Sequence, residues 1–168
     1  MGVFSKENGK LVWHFNGETL VLEAWGANSL RVRAVRMGDV LDTSFALLPP
    51  EKTDAEIILG DGKAVIRNGK LEARIEQYPW SRECHIGFYN QHGELLLEEA
   101  KEGGALARKA RKFRPMIGGD YQLTALFEAQ EGEKLYGMGQ YQQELLDVAG
   151  CTFELAQRNS QASVPFVL

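Results

Sequence analysis

Apolar and polar residues alternate along most of this chain with a period of two, the signature of half-buried β-strands. Leu11, Trp13 and Phe15 alternate with Val12, His14 and Asn16. Asn16-Gly17 follows, a dipeptide that tolerates positive φ at both positions and so predicts a tight hairpin into a return strand over 19–24. Leu30, Val32 and Ala34 alternate with Arg31, Arg33 and Val35. Strands over 63–67 and 70–76 flank Asn68-Gly69, which predicts a second hairpin of the same kind. Strands over 85–89 and 94–97 flank a third turn, Asn90 to Gly93. Tyr121, Leu123, Ala125 and Phe127 predict a further strand, as do Cys151, Phe153 and Leu155, and then 163–168. Pro49-Pro50 lacks the N–H groups a ladder needs and marks a loop running from Leu47 to Glu51, or a sheet edge.

Only 95–113 is rich in helix formers, and Gly103-Gly104 interrupts it at a cost of about 1 kcal/mol per glycine in a helix interior. It reads as a strand followed by a basic loop with at most one helical turn. Short strands separated by turn signals predict an all-β antiparallel sandwich or barrel. With 168 residues and no repeat or linker, a single domain, 1–168, is expected. The final run, Ser163 to Leu168, is apolar and strand-like, and suggests a domain cut from a longer parent.

The net charge of −4 argues against a nucleic-acid partner. The local basic cluster of Lys101, Arg108, Lys109, Arg111, Lys112 and Arg114 reads as a solvated loop or a surface facing another domain. No apolar run approaches a membrane span, and residues 1–6 do not resemble a secretory leader. A cytoplasmic location is therefore expected, with Cys84 and Cys151 as reduced thiols. Three histidines and two distant cysteines offer little to a metal, and no cofactor is expected. The carboxylates Glu98, Glu99, Glu131 and Glu133 form no recognisable catalytic pair and read as surface charges. His14 and His85 read as structural. Trp13, Trp25, Tyr78 and Trp80 could stack on a sugar, but aromatics in a sandwich are more simply core.

The most specific stretch runs from Glu133 to Phe166. It contains Tyr136-Gly137-Met138-Gly139-Gln140, then Gln157-Arg158-Asn159, then Pro165-Phe166. This pattern resembles the end of the N-terminal domain of glycoside hydrolase family 31, the α-glucosidases and α-xylosidases. Gln140 stands where many members carry Glu, which is more similar to the α-xylosidase-type branch. The resemblance implies an antiparallel β-supersandwich of the galactose-mutarotase-like kind. It also implies a non-catalytic domain packed on a catalytic (β/α)8 barrel of the same parent chain. The partners would be that barrel and a carbohydrate substrate, and no catalytic residue would lie on this chain. The loop of Gln157, Arg158 and Asn159 would reach the rim of the substrate pocket. A stand-alone sugar binder or aldose epimerase on the same fold is the alternative, weakened by the lack of a clear His–carboxylate pair.

Thiol titration of the denatured, unreduced protein should find both cysteines free, and finding neither would refute the reading of Cys84 and Cys151.

Overall fold

The computed structural model describes residues 3–44, 46–50, 53–104, 108–142 and 144–168. Residues 1 and 2, Glu51 of the expected proline loop and 105–107 of the basic stretch lie outside this set. The chain forms two compact units, Met1–Glu128 and Ala129–Leu168. No helix occurs among the described residues.

In the first unit, four strands make one antiparallel meander: β1 (Val3–Glu7), β2 (Lys10–Phe15), β3 (Glu18–Ala24) and β4 (Leu30–Arg36). Five more make a second: β5 (Glu56–Gly60), β6 (Lys63–Asn68), β7 (Leu71–Gln77), β8 (Cys84–Asn90) and β9 (Leu95–Glu98). The inward faces meet in one apolar core. Leu11, Trp13, Leu20 and Leu22 come from the first sheet, and Ala64, Ile66, Ala73, Ile75, Cys84 and Ile86 from the second. The strand predictions at 11–15, 19–24, 30–35, 63–67, 70–76, 85–89 and 94–97 all fall within observed strands or one residue from them.

The hairpins follow local chemistry, with one difference. Asn16 and Gly17 both take positive φ, 48° and 76°, as a type I′ turn between Phe15 and Glu18 requires. At the second hairpin Asn68 remains in the strand, paired with Leu71, and the turn is Gly69-Lys70. Asn68 is buried and spends its amide across the sandwich, donating to the carbonyls of Gly26 (2.7 Å) and Ser29 (2.8 Å). One dipeptide thus makes a turn in one place and a tie between sheets in the other.

A third antiparallel pair, β10 (Arg111–Pro115) and β11 (Tyr121–Ala125), carries the largest departure from the sequence reading. Arg111 is not a solvated loop residue; its side chain is only 4% exposed. Its Nε donates to Glu18 on β3 (2.6 Å) and its Nη1 to Glu99 just after β9 (2.6 Å). Its Nη2 donates to the Cys84 carbonyl (3.1 Å) and to the Cys84 sulfur (3.3 Å) on β8. Glu99 is likewise no surface charge; it is buried and also accepts the Ile86 N–H at 2.9 Å. Elsewhere in the basic cluster, Lys109 pairs with Glu83 at 2.8 Å and Arg108 with Glu128 at 3.2 Å. Both cysteines are free, and burial pushes the Cys84 thiol up to about 12.

Arg111→Met should destabilise the first unit by about 3–5 kcal/mol in urea unfolding, because it leaves two buried carboxylates without their cation. Burial raises the Glu18 carboxyl above its ordinary 4.5, with Arg111 opposing it. A raised carboxyl takes its proton more readily in the folded state. Its stabilising contribution is complete below the unfolded value and is lost as pH rises through the folded one. Glu18→Gln should therefore flatten the fall in urea midpoint over the pH range beginning near 4.5.

Candidate functional site

The second unit is built on β12 (Gly137–Gln140) and β13 (Ala162–Val167), which pair antiparallel with an irregularity between Gly137 and Gly139. The glycine motif is therefore a bulged strand. Gly137, Met138 and Gly139 take φ of 118°, 66° and 110°. A β-carbon on Gly137 would overlap the Phe166 carbonyl oxygen, and one on Gly139 the Ala162 carbonyl oxygen. Only glycine lets the two backbones approach this closely. The pair continues outward, where Tyr136 and Leu168 exchange both backbone bonds at 2.9 and 2.8 Å.

The described residues between these strands, 141–142 and 144–161, form one long excursion pinned at two points. At one, Asp147 accepts the N–H groups of Leu135 and Ala149, both at 3.1 Å, which hold its carboxyl below the ordinary range. At the other, Gln157 acts as a surrogate backbone. Its amide donates to the Ser163 carbonyl at 2.8 Å and accepts the Ser163 N–H at 3.2 Å. Ser163 Oγ donates to the Ala156 carbonyl at 2.9 Å and meets the Tyr141 hydroxyl at 3.0 Å. The strand expected at Cys151, Phe153 and Leu155 does not form. No ladder partner lies beside it among the described residues, and Phe153 packs on Tyr141 instead, ring centroids 4.8 Å apart.

This excursion encloses an open recess of about 340 Å³ lined by Tyr141, Gln142, Thr152, Phe153, Glu154, Arg158 and Gln161. The three residues singled out in the sequence take three different positions. Gln157 is committed to Ser163, Arg158 lines the recess, and Asn159 is exposed at the tip of a turn closed by Gln161 N–H to Arg158 carbonyl, 3.1 Å. Arg158 pairs with Glu154 across one i,i+4 step, both side chains more than half exposed. Such a pair is worth at most about 1 kcal/mol, so a ligand can take the guanidinium from Glu154 at little cost. The aromatic walls, Tyr141 and Phe153, and the counter-ion Glu154 went unread in the sequence. Tyr141 directly follows the glycine motif, and Glu154 stands four residues before Arg158.

No family model matches the chain. A family 31 glucosidase of Pseudescherichia vulneris, described as uncharacterised, is 48% identical over 172 residues, which take in 92% of this chain and 32% of the relative. A GH31 α-xylosidase from a soil metagenome, solved with xylose, superposes with a TM-score of 0.89 at 40% identity, over 99% of this chain and 26% of that one. The chain belongs to glycoside hydrolase family 31. The GH31 α-xylosidase of Xanthomonas citri agrees, with a TM-score of 0.75 at 25% identity over 99% of this chain. The chain spans about a third of the curated family 31 relative and corresponds to the N-terminal β-domain of these enzymes. Its fold class is the all-β sandwich that the resemblance implies.

In this family 31 domain the one buried carboxylate pair described above, Glu18 and Glu99, is locked on Arg111. Both side chains are at most 4% exposed, so neither can meet a sugar as acid or nucleophile.

Gly139→Ala should destabilise the second unit by at least about 1 kcal/mol, since φ and space are both incompatible with a β-carbon. Gln157→Ala should cost about 1–2 kcal/mol and speed hydrogen exchange at the Ser163 amide, whose side-chain acceptor it removes. Unchanged exchange there would refute the structural role of Gln157.

Proposed function

We propose that this chain serves as the non-catalytic N-terminal domain of a retaining α-glycosidase acting on α-glucosides or α-xylosides. It packs on a catalytic (β/α)8 barrel of the same polypeptide and lends the 157–159 loop to the rim of the substrate pocket. The observation that carries this reading is the 48% identity across nearly the whole chain to a glucosidase about three times longer. The second unit supports it with an open apolar surface. Leu145, Leu146, Phe166 and Leu168 are all more than half exposed, and a neighbouring domain would cover such side chains. On this reading the catalytic carboxylates come from the barrel. The chain supplies a rim at which Arg158 and Asn159 donate hydrogen bonds to sugar hydroxyls, while Gln157 holds the loop in place. A cytoplasmic location completes the proposal and accords with two free thiols.

The isolated chain should release no aglycone from aryl α-glucosides or α-xylosides, and clear turnover would overturn the reading. In the full-length enzyme Arg158→Ala should lower kcat/KM roughly ten- to a hundredfold, the loss of one hydrogen bond from a charged group. Asn159→Ala should fall at or below the low end of that range. Wild-type kinetics in both variants would remove the loop from the pocket.

A further inference from the structure

The protein has three tryptophans, and they sit in three different environments. Trp13 is core, 1% exposed. Trp25 is half-buried, with the Arg31 guanidinium 4.5 Å above its ring. Trp80 is 71% exposed. It stands on the hairpin loop between β7 and β8, and it is not loosely held there.

The Trp80 ring rests on Tyr78, centroids 5.0 Å apart and planes 32° apart. Tyr78 in turn stacks on His85 at 5.0 Å and 22°. Tyr78 N–H donates to the Glu83 carbonyl at 2.8 Å, Arg82 N–H to the Tyr78 carbonyl at 2.9 Å, and the Gln77 amide to the Arg82 carbonyl at 2.7 Å. Arg82 is held at φ 66°, unusual for a residue with a side chain. The Tyr78 hydroxyl accepts the Glu102 N–H at 2.9 Å, and Ser81 Oγ donates to the Glu102 carboxylate. Pro79 fixes the backbone just before the tryptophan. The loop is thus over-determined by its bonds, while the side chain at its crest leaves most of its surface in water. Burial would be the ordinary fate of so large an apolar ring.

We propose that Trp80 is a stacking platform for a pyranose, a sugar-binding site separate from the 157–159 loop. A pyranose with equatorial hydroxyls, of glucose or xylose configuration, presents a face of axial C–H bonds that lies flat on an indole. The groups bonded into the loop or beside it are a hydroxyl, a guanidinium, a carboxylate and an ammonium: Ser81, Arg82, Glu102 and Lys101. These suit the hydroxyl rim of a sugar. An aliphatic surround, which a docking protein needs, is absent from the loop itself. The stack beneath presets the ring, so little side-chain freedom is lost on binding.

The test uses the 168-residue chain and follows the Trp80 indole N–H by NMR, assigned through Trp80→Phe. Titration with cello-oligosaccharides and xylo-oligosaccharides should shift this signal with saturation in the millimolar range. Trp80→Ala should abolish binding, Trp80→Tyr should retain part of it, and Arg158→Ala should leave it unchanged. That last variant separates this site from the rim loop, since either can fail without the other. Absence of any saturable shift would overturn the proposal, as would undiminished binding by Trp80→Ala. So would a Trp80→Ala variant that loses self-association or hydrophobic-dye binding while sugar never perturbs the indole, because the ring would then be a protein contact.

Discussion

One guanidinium holds the first unit together. Arg111 reaches from β10 to a carboxylate on β3, a carboxylate after β9 and a backbone carbonyl on β8, so a single side chain touches three sheets. Removing these charges from water carries a large desolvation cost, and apolar residues of like volume could fill the space with equal or better stability. What an apolar plug could not supply is direction. Five N–H donors in a fixed plane accept only one arrangement of their acceptors, so they set how β10 seats against the two meanders. The raised carboxyl of Glu18 marks the same tension, a site with one cation for two acids.

What the sequence made legible follows from the range of each interaction. Alternation and Asn-Gly turns are local, and the hairpins at 16–17 and 90–93 formed where the residues indicated. Asn8-Gly9 carries the same signal and makes the β1–β2 turn, with φ of 50° and 77°, yet it went unread beside a short polar strand. Glu99 and Arg111 were misread as solvated because their partners lie elsewhere in the chain, 93 residues away in the case of Glu18. For Trp80 the sequence leaves core and sugar stacking both open and favours core, because composition cannot tell an aromatic that faces inward from one that stands on a loop.

The candidate site shows the same division. The segment Gln157 to Asn159 was legible only through a resemblance, and its three side chains do three different things. Gln157 substitutes for backbone, Arg158 lines a recess and Asn159 tips a turn. The glycines of the motif likewise have a mechanical reason, since two carbonyl oxygens of β13 occupy the space where side chains would begin. A motif recognised as a pattern becomes, in the structure, a statement about how near two backbones must come.

The meander topology of the two large sheets bears on the order in which this unit can assemble. Every ladder in them joins a strand to its neighbour in sequence. Each hairpin therefore closes a short loop, and nothing within a sheet waits for a distant segment. The contacts between sheets are of another kind: the Asn68 amide reaches back 42 residues to Gly26. Two sheets can thus zip independently and find each other afterwards, with the tie from Asn68 and the seating of Arg111 as late, register-selecting steps. In a nascent chain leaving the ribosome, the first meander could be complete before the second has emerged.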